Sequence, residues 1–181
     1  MFQKVYYKIT NAEEKHYDFQ YRDGLNRLKG KFNEDQEDPC GPGGLYFCDI
    51  KNILEFLDKG IYLREITLPN KDPEFKILKC DNKYRANMII LGKKYSLSDV
   101  STFKMLIESG ADLHANNCYS LKWSAYNGYL DIVKYLISNG ANANVIDGYA
   151  MQWSTRKGHY EVVRYIQKLR ASYDIKNIIY K

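Results

Sequence analysis

The groups best able to do chemistry in this 181-residue chain are four cysteines, Cys40, Cys48, Cys80 and Cys118, and three histidines, His16, His114 and His159. A structural zinc takes four such ligands, usually with closely spaced Cys-x-x-Cys pairs. None of these cysteines has that spacing, so neither a metal nor any other cofactor is expected. Cys40 or Cys48 with His16 would make a thiol–base pair, although nothing in the spacing brings them together. The chain has no Gly-x-Ser-x-Gly turn, no P-loop and no His-Glu-x-x-His helix. What remains is Gly43-Gly44-Leu45-Tyr46-Phe47-Cys48-Asp49, followed further on by Leu63-Arg64-Glu65-Ile66. Taken by itself, a glycine pair before Tyr46 and Phe47 is a turn that delivers two aromatic residues to a core.

That constellation is similar to the Gly-x-Gly-Ile-Tyr-Phe-Ala-Asp stretch and later strand of ADP-ribosyltransferases. The resemblance implies Tyr46 as the ring that stacks on nicotinamide and His16 as a ribose contact. It implies Glu65 as the carboxylate that stabilises the cation-like sugar and activates the acceptor. The match is short, and Glu65 is distant from the glycines. No enzyme is therefore expected, and an ADP-ribosyltransferase-like NAD-binding domain is the alternative.

The stronger signal is repetition. Shifting Tyr119–Asn144 by thirty places Trp123 on Trp153, Ser124 on Ser154, Gly128 on Gly158, Val133 on Val163 and Ala141 on Ala171. The opposite shift places Val133 on Phe103, Leu136 on Leu106 and Gly140 on Gly110. A period of this size marks a helical unit that must stack to bury its apolar face. Leu121–Asn127 is a short helix, stopped by Gly128. Leu130–Ser138 is a second, with Ile132, Val133, Leu136 and Ile137 at helical spacing. Asn139-Gly140 ends it.

YSLKWSAYNGYLDIVKYLISNGA resembles the ankyrin consensus TPLHxAAxxGHxxxVxxLLxxGA. It departs from that consensus at Tyr119-Ser120-Leu121-Lys122 and Tyr149-Ala150-Met151-Gln152, and its period is shorter than the usual value of about 33. The missing residues fall in the β-turn projections, so short fingers are expected. An ankyrin stack implies a concave face for a protein partner. Here that face carries Tyr119, Lys122, Tyr126 and Asn127, then Tyr149, Gln152, Arg156 and Lys157. Tyrosine and arginine are residue types that concentrate binding energy, and the three cations favour an acidic segment. Trp123 and Trp153 are expected to stack on one another.

Before the repeats the character changes. Phe2–Ile9 reads as a strand, and Tyr21–Phe32 as a strand or short helix. Asn33–Gly44 is an acidic, Pro/Gly-rich loop. Leu45–Cys48 is a strand, and Asp49 caps a helix over Ile50–Lys59 that Gly60 stops. Ile61–Leu68, Phe75–Leu78 and Ala86–Leu91 are further strands. The segments YRDGLN (21–26), PGGLYF (42–47), GIYLREITLP (60–69) and RANMIILG (85–92) resemble the N-terminal domain of ankyrin-repeat proteins from giant DNA viruses of the mimivirus type. The fold expected is an α+β domain over 1–96, then an all-α stack of about two and a half ankyrin repeats over 97–181.

The first repeat has only its second half, Ser98–Ala111, so the cap is expected to pack its last strand and turn against Leu121–Asn127. After Ala171 no helix is expected, and Ile178, Ile179 and Tyr180 either fold back or pair two copies. Oligomeric state is left open. The net charge of +5 is spread along the chain, which argues against nucleic acid. No apolar stretch suits a membrane span or a signal peptide, so an intracellular place, in host cytoplasm or virion, is expected. An unknown host or viral protein is the expected partner of this adaptor or scaffold.

Overall fold

The computed structural model describes residues 4–179 apart from 36, 39 and 147. Side chains at 149 and 173–179 lie outside the described residues. Nine strands precede the repeats among those described. β1 (Tyr6–Thr10), β6 (Tyr62–Thr67), β9 (Met88–Ser96) and β4 (Gly24–Arg27) form an antiparallel sheet in the order β1-β6-β9-β4. β5 (Leu45–Phe47), β8 (Lys83–Ala86) and β7 (Ile77–Cys80) form a second, ordered β5-β8-β7. β2 (Lys15–His16) and β3 (Phe19–Gln20) make a small hairpin.

A pair of main-chain hydrogen bonds between Tyr7 and Cys48, both 2.9 Å, joins the two sheets at β1 and β5. β1 is thus paired along both edges, and its residues Tyr7 to Thr10 are all buried, Lys8 along with its apolar neighbours Tyr7 and Ile9. The open choice at Tyr21–Phe32 resolves as strand β4. The acidic loop is pinned by Arg85 of β8, fully buried, whose guanidinium donates to the Asp35 carbonyl and, at 2.8 Å, to that of Asp38.

Ile50–Lys59 is helical, but as a 3-10 helix with a kink at Phe56. Asp49 sits at its N-cap position without capping it. Its carboxylate is taken by the Tyr84 hydroxyl at 2.8 Å and by Lys4 at 2.6 Å. Gly60 is required by close approach, since a Cβ there would lie 2.0 Å from the Thr10 carbonyl oxygen.

The repeats comprise α1 (Val100–Glu108), α2 (Ala115–Tyr126), α3 (Leu130–Ser138), α4 (Gly148–Arg156) and α5 (Tyr160–Ile179). α2 packs against α3, against α4 and against the 3-10 helix, while α3 packs against α1 and α5. The outer row is α1, α3, α5, and the inner row is 3-10 helix, α2, α4. The half repeat is thus completed from residues 50–59, and not by the last strand and its turn as the sequence suggests. Ile53, Leu54 and Leu57 of that helix share one core with Phe103, Leu106, Leu121, Val133 and Leu136. The Asp112 amide, at the end of the first repeat, donates 3.0 Å to the Lys51 carbonyl. A second cluster, including Tyr21, Phe47, Ile66 and Leu91, lies within the sheets.

The inter-repeat fingers are short. Among the described residues no strand lies between α1 and α2 or between α3 and α4. The first turn of α2, Asn116–Cys118, is left-handed, with φ of 49, 58 and 52°, a region that asparagine tolerates better than most residues. The second link is a 3-10 turn, Ala143–Val145.

α5 corrects the expected end of the third repeat. The helix does not stop at Ala171 but runs on to Ile179. Where the first two repeats have Gly110 and Gly140 at φ near +100°, the third has Arg170. Without glycine at the left-handed stop the helix continues. The Arg170 guanidinium donates to the Ile146 carbonyl, tying α5 to the second link. The side chains of Ile178 and Ile179, and Tyr180, lie outside the described residues.

Candidate functional site

The repeat residues singled out from sequence do not form one continuous face. Tyr119 is half-buried against the shared core. Burial, followed by the nearby Asp58 carboxylate, raises its pKa. It belongs to the junction with the 3-10 helix. The Tyr149 side chain lies outside the described residues. Lys122 and Gln152 stand part-way along α2 and α4, the first half-buried and the second exposed. Asn127 spends its side-chain amide on the Trp123 carbonyl at 2.8 Å, closing the end of α2.

Tyr126, Arg156 and Lys157 come together at the C-terminal ends of the two inner helices, and Trp153 joins them. The Lys157 ammonium lies 3.8 Å from the Tyr126 ring centre, and the Arg156 guanidinium carbon 5.4 Å from that of Trp153. The Tyr126 and Trp153 rings are 6.1 Å apart at 52°. Two cations on two rings form a compact patch. Tyr126, Arg156 and Lys157 are exposed and Trp153 is half-buried. Among the described residues neither cation has a carboxylate partner. Cations over aromatic faces are attracted by the ring quadrupole, by about 0.5–1 kcal/mol at exposed sites. That pairing orients the groups without spending their charge.

Trp123 and Trp153 do not stack on one another. Trp123 lies against Phe103 at 6.1 Å and Tyr129 at 5.5 Å, whereas Trp153 meets Tyr126, one turn further along α2 than Trp123. The turn beside the patch is fixed by Gly128, at φ +77°, where a Cβ would fall 2.3 Å from Nδ1 of His159.

The constellation in the cap is only partly assembled. His16 and Tyr46 are neighbours, ring centres 6.4 Å apart and edge-on at 88°. Glu65 is elsewhere, its carboxylate accepting from the Tyr95 hydroxyl at 2.6 Å. The acid implied by the ADP-ribosyltransferase resemblance is thus absent from the cavity that His16 and Tyr46 line. Among the described residues no cluster of three or more His, Cys, Asp or Glu is placed to hold a metal. The cysteines are free, with Cys40 exposed and the others buried. No described helix is long and apolar enough to cross a membrane.

A family model described as ankyrin repeats (3 copies) matches residues 94–177, the stretch that carries α1 to α5. Protein R869 of Acanthamoeba polyphaga mimivirus is 55% identical over 131 residues, covering 72% of this chain and 95% of that protein. The chain belongs to the ankyrin-repeat proteins of the mimivirus type. R868 of the same virus, which carries an ankyrin-repeat name, is 46% identical over 136 residues, 74% of this chain and 67% of its own length. R896, similarly named, is 47% identical over 131 residues, 71% of this chain and 39% of its own. These alignments are longer than the repeat region alone, so the likeness reaches into the strand-rich cap. No solved structure matches. As an ankyrin-repeat protein, the chain carries a protein–protein interaction module.

Proposed function

We propose that this protein is a non-catalytic adaptor or scaffold that holds a host or viral protein, inside the infected cell or in the particle. The regions 1–96 and 97–181 act in it as one unit. The observation that carries the reading is the Tyr126–Trp153–Arg156–Lys157 patch. Aromatic side chains and arginine are enriched where binding energy concentrates. Here the rings are held in place by neighbouring helices, and among the described residues neither cation has a carboxylate partner. An acidic segment carrying an apolar or aromatic residue has the complementary chemistry. The patch sits at the helix ends beside the tight turns rather than at the inter-repeat links, so the short links do not weaken the reading.

The test is a pull-down from infected-cell lysate with the full chain and with Tyr126→Ala/Arg156→Ala. Circular dichroism should show the double variant folded, because both residues are exposed. A protein retained by the first and lost with the second is expected, with affinity reduced by at least about 2 kcal/mol, the scale of a hot spot. Equal retention by the two proteins would move the binding surface away from this patch.

A further inference from the structure

The cap holds a cavity of about 290 Å³, open to solvent on one side, that the repeat patch does not use. It lies among β1, β2, β5 and the 3-10 helix. Lys8, Lys15, Lys59 and Lys83 reach its wall, as does His16. Among the described residues no aspartate or glutamate lines it, although the chain has 22 acidic residues against 27 Lys and Arg. Lys59 does reach the surface, where it pairs with Asp58 at 2.6 Å.

Lys8 decides the character of the site. It is 7% exposed. Its ammonium donates 3.0 Å to the Tyr46 carbonyl and lies 4.6 Å from the Tyr21 ring centre. Both partners are neutral. Burial holds its pKa down at about 8. His16 is held at about 4, first by burial and then by the positive charges of Lys8, Lys59 and Lys83. A buried cation without a counter-charge costs stability unless a negative partner is supplied. The wall also has apolar surface. Tyr46 is fixed by its hydroxyl on the Gly41 carbonyl, and Phe56 stands at the kink of the 3-10 helix. The volume is at the small end of ligand pockets, which run upward from roughly 300 Å³. It suits one ring and one charged group but is too small for a dinucleotide such as NAD.

We propose that this cavity binds a small phosphate monoester, with the phosphate on Lys8 and the rim lysines and the organic body against Tyr46 and Phe56. A phosphate carries close to two negative charges and several acceptor oxygens. That matches a wall carrying four lysines and, among the described residues, no carboxylate better than a single carboxylate does.

The experiment is calorimetric titration of the full chain at neutral pH with phenyl phosphate, AMP and adenosine. Both esters are expected to bind and adenosine to fail. Lys8→Met should weaken phenyl phosphate about tenfold or more, the effect of losing one charge-assisted hydrogen bond. Lys59→Ala/Lys83→Ala, altering residues at the rim, should weaken it severalfold with an unchanged circular dichroism spectrum. This second variant decides the matter by itself where Lys8→Met does not fold. Failure of both esters at millimolar concentration overturns the proposal. So does adenosine binding as tightly as AMP, or wild-type affinity in the folded variants.

Discussion

A fragment beginning at Leu97 is expected not to fold. It would contain α1 to α5 and both complete helix pairs, but not the 3-10 helix Ile50–Lys59 that covers α2. Ile53, Leu54 and Leu57 are at most 1% exposed and lie in the core that contains Phe103, Leu106 and Leu121. Emptying one such site by Leu→Ala costs about 2–5 kcal/mol. Removing all three approaches or exceeds the whole stability of a domain, about 5–15 kcal/mol. An array with fewer than about three units also lacks enough stacked surface to stand alone.

Circular dichroism of the 97–181 fragment should therefore show little helix and no cooperative melt. In the full chain, Leu57→Ala should lower the melting temperature as a single transition, with the sheet and the repeats lost together. A fragment with native helicity and a sigmoidal melt would show that the cap merely touches the stack. Two separate transitions in Leu57→Ala would show the same.

The same helix shows how far the sequence could be read. Its apolar spacing announced one buried face, and Gly60 announced its end. Neither says what covers that face, because the partner lies some sixty residues further on and nothing local encodes the pairing. The repeat pattern was more legible, since Gly128 and Gly158, and Trp123 and Trp153, recur at one spacing. It misled where a position broke the pattern, and again at the tryptophans, which keep it. Arg170 stands where Gly140 would recur, and α5 runs past the expected stop for that reason. Trp153 pairs with Tyr126 instead of Trp123, whose ring is taken by Phe103 and Tyr129. In the patch, Tyr126, Arg156 and Lys157 were identifiable by type and register. Tyr119 was not separable from them, since its burial depends on the 3-10 helix. Lys8 gave no signal at all. Nothing local in the sequence tells that β1 is buried from Tyr7 to Thr10, on the side-chain face of Lys8 as well as that of Tyr7 and Ile9.

Replacing Lys8 by methionine is expected to make the unliganded protein more stable. The buried ammonium titrates at about 8 in place of its ordinary 10.5, a difference worth about 3 kcal/mol against folding at neutral pH. Methionine fills similar volume without charge. It leaves the Tyr46 carbonyl without its donor, which returns about 1 kcal/mol. The net gain is about 2 kcal/mol, or roughly 4–8 °C in melting temperature for a chain of this size. The pH dependence identifies the cause. Between pH 8 and 10.5 the unfolded chain still holds the lysine proton and the folded chain does not, so wild-type stability rises through that window. The penalty is fully present below pH 8 and gone above 10.5, and the advantage of Lys8→Met should shrink accordingly. A phosphate monoester should narrow the gap from the other side at neutral pH, stabilising the wild type more than the variant that binds it less tightly. A variant less stable than wild type at pH 7, by a margin unchanged at pH 10, would mean that Lys8 serves the fold and not a ligand. The expected order, with the lysine costly alone and useful when occupied, is that of a binding residue kept at the expense of stability.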